Sequence, residues 1–333
     1  MASISSLLVA ALAVTSALAS PLGLEPRQQQ QPFQPRPGYF PPTGDDTIAG
    51  GIFCISLTDL AAYLARTGNN PGATGPETPR GGGVPGPGSG PYPARVLTDP
   101  SLPGHTIYAP QAPPAGNVSL GFIAWGNGGC AMSGGSEYRN FLLEIASHGY
   151  VISADGPVAQ NRQSLVTDMR ASVDWAAKGG ASKYGNVDVD NIITAGHSCG
   201  GLSAMSTAYN DPRVKRVMLF NIAIFQDERR YLLEKINVPV AWFVGGPKDM
   251  GYPNAEKDYK LLPGGVPAYK TSLDTGHGGT FGATNGGKFG KAAVAYLQWQ
   301  FRKDEKSKQI LLDAKSPGSL VSDKWTVEHK NWS

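Results

Sequence analysis

The residues best suited to chemistry are Gly196-His197-Ser198-Cys199-Gly200-Gly201, a run that embeds a serine in a G-x-S-x-G pattern. The pentapeptide alone arises by chance, so its context matters. Residues 192–195 are an apolar strand candidate and 202–209 read as a helix, which would place Ser198 on the sharp strand-to-helix turn of a nucleophile elbow. Gly196 and Gly200 stand two residues before and two after it, where neighbouring backbone must come close. Making Cys199 the nucleophile would put the His197 ring at the first of those positions and crowd the turn, so the Ser198 frame is preferred. A hydroxyl so placed suits acyl transfer through a covalent intermediate.

That hydroxyl needs a general base, and in this type of site the expected chain order is Ser, then Asp or Glu, then His. Only His277 and His329 follow Ser198, and His277 sits in the glycine-rich loop Asp274-Thr275-Gly276-His277-Gly278-Gly279 after the last strong strand candidate. It is the expected base. His105 begins a strand, His148 ends a helix, and His197 reads as a rim side chain. The acid should lie on a post-strand loop between the two, which selects Asp249 in Gly245-Gly246-Pro247-Lys248-Asp249 over Asp258, inside a helix pattern, and Asp274, too near His277 in sequence. Its role would be to orient the imidazole and stabilise the imidazolium.

A developing oxyanion needs preorganised donors. One is expected from the Cys199 N–H and the other from Asn127 or Gly128, in the loop Gly126-Asn127-Gly128-Gly129-Cys130 that follows the strand candidate 119–125. Cys199 and Cys130 would then flank one site, so their Cα atoms could approach to disulfide distance, leaving Cys54 over. Trp125, Met132, Met250, Tyr252 and Phe281 adjoin the expected site; of these Trp125, Met250 and Phe281 are the candidate substrate-binding residues.

Strand candidates at 106–108, 119–125, 150–154, 192–195, 214–220, 238–244 and 268–273 are mostly continuous apolar runs, as in strands covered on both faces. Helix patterns lie between them: Tyr138, Phe141, Leu142 and Ile145 share one face, as do Val166, Met169 and Val173, and a last helix spans about 291–302. The alternation predicts an α/β architecture with a mostly parallel central sheet. The expected catalytic domain is 91–333, with a C-terminal extension from about residue 304.

Residues 20–90 differ in kind. Nineteen of the 27 prolines fall before Asn117, and the stretch is rich in Pro, Gly and Gln, a composition unable to bury a core. It reads as a disordered low-complexity segment carrying one short helix at 56–66. Residues 1–19 combine an uncharged apolar run at 7–18 with Ala17-Leu18-Ala19, the features of a secretory signal peptide. The run is too short to span a bilayer, so no stable membrane anchor is expected. Asn117-Val118-Ser119 is a glycosylation sequon, and Asn331-Trp332-Ser333 matches too. A net charge of +3 with 17% charged residues and no like-charge block argues against nucleic-acid binding.

Taken together, Trp125-Gly126-Asn127-Gly128-Gly129-Cys130, Ala146-Ser147-His148-Gly149-Tyr150, the elbow, Gly245 to Asp249 with Tyr252-Pro253-Asn254, and Gly276-His277-Gly278-Gly279-Thr280 resemble a group of secreted, mostly fungal and bacterial α/β-hydrolases. The group is similar to dienelactone hydrolases, chlorophyllases and cutinase-like polyester hydrolases. The resemblance covers about residues 90–330 and implies ester hydrolysis on an α/β-hydrolase fold. The expected protein is a secreted, monomeric serine esterase acting on a small or polymeric ester, with no metal or cofactor. Amide or peptide hydrolysis on the same architecture is one alternative, and a non-catalytic extracellular or wall-binding role is the other.

Overall fold

The computed structural model describes residues 85–157, 163–209, 211–225 and 227–332. The signal peptide, the helix at 56–66, Cys54 and nearly all of the low-complexity segment lie outside the described residues. Each apolar run foreseen in the sequence forms a strand: β2 (His105–Pro110), β3 (Ser119–Gly126), β4 (Tyr150–Asp155), β6 (Ile192–His197), β7 (Val214–Phe220), β8 (Val240–Val244) and β9 (Ala268–Ser272). Three strands were not foreseen, β1 (Ala94–Thr98), the two-residue β5 (Asn186–Val187) and β10 (Thr326–Lys330). All three are polar or short edge pieces without a continuous apolar run.

The strands form one mixed sheet in the order β1-β2-β4-β3-β6-β7-β8-β9-β10, with β5 paired to β3. From β4 to β9 the neighbours run parallel, while β1 and β2 at one edge and β10 at the other are antiparallel. Parallel strands need crossovers, and these are α1 (Arg139–Ser147), α2 (Val166–Ala177), α3 (Cys199–Ala208), a 3-10 stretch at Asp227–Lys235 between β7 and β8, and α4 (Tyr252–Leu261), followed by α5 (Gly287–Arg302) and α6 (Glu305–Leu312). Side-chain alternation along the strands sorts the core into two faces. Ile123, Trp125, Phe220 and Phe243 pack with Phe141 of α1 and Phe289 and Tyr296 of α5. On the other face, Phe122 and Ala124 meet Met169 and Val173 of α2, and Leu219 and Trp242 cluster with Leu202 of α3 and Ala255 of α4.

The segment from about residue 304, expected as a C-terminal extension within the domain, packs onto its core. Beyond α5, α6 and β10 add to the core through Leu311, Leu320 and Trp325, which are buried. Among the described residues, no helix is long and apolar enough to cross a membrane.

Strand order reverses at β3, whose neighbours are β4 and β6, and the crevice beyond the carboxyl ends at such a reversal is where α/β sheets place ligands. Gly126 at the end of β3 lies opposite Gly196 near the end of β6, and His197 lies opposite Phe220 at the end of β7. The loops after β3, β6, β7, β8 and β9 therefore leave one edge of the sheet together.

Candidate active site

The turn from β6 into α3 has the form the glycine spacing demanded. Ser198 adopts φ 53° and ψ −126°, a region that costs a non-glycine residue about 1–3 kcal/mol and persists only where the surroundings over-determine it. Close packing provides that determination. A Cβ on Gly196 would lie 2.4 Å from the carbonyl carbon of Gly200, and one on Gly200 would lie 2.0 Å from that of Gly126, so both positions must be glycine. The same contacts press the loop after β3 against the elbow.

His277 Nε2 lies 2.9 Å from Ser198 Oγ, and His277 Nδ1 lies 2.8 Å from Asp249 Oδ1. Three loops, after β6, β8 and β9, thus converge on one linear relay. Ser198 is only 5% exposed, and the His277 side chain is 15% exposed. Solvent reaches the pair but does not flood it.

Asp249 is fully buried and saturated with donors: His277 and the Gly251 N–H (3.0 Å) at Oδ1, the Gly245 N–H (2.9 Å) and Asn221 Nδ2 (2.9 Å) at Oδ2. Burial alone would raise its pKa. The hydrogen bond and charge of His277, with the two backbone N–H groups, outweigh burial and hold it below the ordinary carboxylate value. Asn221 was not foreseen. It follows β7 directly, has φ 56°, and its amide also donates to the Gly276 carbonyl at 3.1 Å, tying the loop that carries His277 to Asp249. A polar residue just past an apolar strand at the site edge was the available signal.

Of the two residues expected as alternative donors after β3, Gly128 is engaged, because its N–H donates to Tyr138 Oη at 2.9 Å. The N–H groups of Asn127 and Cys199 have no hydrogen-bond acceptor among the described residues. Cys199 is the first residue of α3, where an orphan N–H is normal. The Asn127 side chain turns inward, accepting from Trp125 Nε1 at 3.1 Å and donating to the Ala131 and Asp155 carbonyls, each at 2.8 Å. Only its backbone faces the elbow, close to Gly200. Cys130 and Cys199 are at disulfide distance, with Cα atoms 5.2 Å apart. They clamp the loop after β3 to the first residue of α3.

Two expected substrate contacts need correction. Trp125 and Phe281 are 1% and 3% exposed and pack with Tyr138, Phe141 and Phe220 in the core. Trp125 belongs to the strand face covered by α1 and α5. Met250 is half-buried beside Asp249, while Met132 is buried. His197 is not at the rim as expected; it is 8% exposed, with its ring centroid 4.9 Å from that of His277. Of the rejected acids, Asp258 pairs with Arg230 inside the core, and Asp274 is exposed. Asn117 is exposed in the turn before β3, its Oδ1 accepting from Asn186 Nδ2 at 3.1 Å.

The sequence matches no protein-family model, and no curated protein is significantly similar to it.

Proposed function

We propose that this chain is a secreted serine esterase of the α/β-hydrolase type. The observation that carries the reading is the unbroken relay Ser198 Oγ, His277 Nε2, His277 Nδ1, Asp249 Oδ1, with links of 2.9 and 2.8 Å, on a serine held in a strained elbow. The strand order, its reversal at β3 and the loops at the carboxyl edge support the fold assignment. The short apolar leader ending in Ala17-Leu18-Ala19 and the paired cysteines support secretion.

In the proposed reaction, Ser198 Oγ attacks the ester carbonyl carbon while its proton passes to His277 Nε2. The carbonyl π electrons move onto oxygen, and the Asn127 and Cys199 N–H groups donate to that oxyanion. Asp249 keeps the Nδ1 proton on the imidazole and stabilises the imidazolium without taking a proton. Collapse of the tetrahedral adduct breaks the bond to the alkoxy oxygen, which receives the proton from His277 Nε2 and departs as the alcohol. Water then repeats the sequence on the acyl-enzyme, releasing the acid and restoring Ser198. Preorganised donors of this kind contribute roughly 3–4 kcal/mol each to the barrier reduction.

The test is turnover of p-nitrophenyl esters from acetate to palmitate, with feruloyl and polyester substrates alongside. Ester turnover that disappears in Ser198→Ala is expected. Turnover of peptide p-nitroanilides without any ester turnover would replace the reading with amide hydrolysis.

A further inference from the structure

The variable residue of the G-x-S-x-G motif has its own hydrogen-bond chain. His197 Nε2 lies 2.8 Å from the carbonyl oxygen of His277, and His197 Nδ1 lies 2.8 Å from Tyr138 Oη. The carbonyl only accepts, so Nε2 carries the proton. In a neutral ring Nδ1 then accepts, so the Tyr138 hydroxyl donates to it, and the phenol oxygen in turn accepts the Gly128 N–H at 2.9 Å. Each donor meets one acceptor in a single direction, from the loop after β3, through Tyr138 and His197, to the loop after β9.

Packing fixes this path. A Cβ on Gly128 would lie 2.5 Å from Tyr138 Oη and 2.7 Å from His197 Nδ1, so only glycine leaves room for the chain. Phe281 packs edge-to-face with both rings, its centroid 5.3 Å from that of Tyr138 and 5.1 Å from that of His197. Burial, reinforced by the neighbouring His277, pushes the His197 pKa down to about 3, which keeps the ring in the neutral form the chain requires. The base loop is thereby gripped at consecutive carbonyls, Gly276 by Asn221 and His277 by His197.

We propose that His197 and Tyr138 are a positioning pair that holds the base loop and the oxyanion loop at a fixed separation across the elbow. The role rests on the serine-esterase reading. Neither side chain touches the reacting atoms; both act through backbone, at the His277 carbonyl and the Gly128 amide. Losing the chain lets His277 and the Asn127 N–H drift relative to Ser198, and a displacement near 1 Å costs about 100-fold in rate.

The experiment compares His197→Met, His197→Gln and Tyr138→Phe with the parent chain. Active sites are counted by fluorophosphonate titration, so misfolded molecules drop out of the rate. For His197→Met, kcat per titrated site should fall roughly 10- to 100-fold, with KM changed less than about threefold. The Gln amide can donate to the His277 carbonyl and accept from Tyr138, so His197→Gln should recover to within about fivefold of the parent, and Tyr138→Phe should lie between. A 15N spectrum of the parent should show His197 as the neutral Nε2–H tautomer down to about pH 5. An unchanged kcat per site in His197→Met, a Gln variant no better than Met, or an Nδ1–H tautomer would overturn the proposal. A parent chain that takes no fluorophosphonate overturns the esterase reading and the positioning role with it, while the tautomer still reports on the bonds themselves.

Discussion

Replacing Asp249 with Asn tests how the base is oriented, because the two side chains have nearly the same shape and opposite hydrogen-bonding character on one atom. The native carboxylate accepts four donors, two on each oxygen. An amide must set its NH2 group against one of these pairs. If it occupies the Oδ2 position, it faces the Gly245 N–H and the Asn221 amide, and at least one buried donor is orphaned. If it occupies the Oδ1 position, it opposes the Gly251 N–H and donates to His277 Nδ1, which forces the proton onto Nε2. That tautomer cannot accept the Ser198 proton. One or two stranded buried donors, each at about 1–3 kcal/mol, predict a stability loss of roughly 1–6 kcal/mol. The Oδ1 placement strands fewer donors and gives the amide an acceptor at His277 Nδ1, so it is the favoured one, and its misdirected tautomer predicts a fall in kcat of about 10^3 to 10^4. The assay pairs kcat/KM on a p-nitrophenyl ester with a urea unfolding curve read by circular dichroism. A folded Asp249→Asn variant within tenfold of the parent rate would refute the role assigned to the carboxylate.

Other outcomes follow from the same packing. Gly200→Ala would drive a methyl into the Gly126 backbone, which has no flexible end to yield, so a loss at or above the usual 1–3 kcal/mol of overpacking is expected; an unfolding midpoint equal to the parent's would contradict it. Replacing both Cys130 and Cys199 with Ala opens a link between residues 69 apart in sequence and should cost about 4 kcal/mol on chain-entropy grounds, and a non-reducing peptide map should show the two joined. Arg230→Met should strand the buried Asp258 carboxylate, whose pKa is already lifted to about 6 by burial. A carboxyl whose folded pKa lies above its unfolded value favours the folded state when protonated, so the group's contribution declines as pH rises from about 4 through about 6. The Arg230→Met loss, roughly 3–5 kcal/mol at pH 8, should therefore shrink at pH 5; a loss independent of pH would exclude the uncompensated charge as its cause.

The elbow could be read from the sequence because its glycines answer to backbone contacts a few residues wide, and the strands because burial on both faces leaves continuous apolar runs. Asp249 and His277 were accessible through chain order and their position after strands, before any distance was known. What escaped was decided by contacts between distant segments. Asn221 meets Asp249 across 28 positions and Tyr138 meets His197 across 59, and neither pairing leaves a local pattern. Nearness in sequence misled for Trp125 and Phe281, because strand alternation sends Trp125 into the core beneath α1 and α5 and Phe281 folds back onto Tyr138 and Phe141. β1, β5 and β10 lack the apolar runs that mark central strands, and β10 is held by pairing with β9 and by Trp325 and Trp332 against the core.

The most direct test of the central claim is an intact-mass measurement after incubation with a fluorophosphonate, followed by peptide mapping. Ser198 is expected to take one phosphonyl group, and Ser198→Ala to take none. Labelling of Ser198→Ala at the parent rate, or a folded parent chain that acquires no adduct while reference serine hydrolases react, would contradict the account.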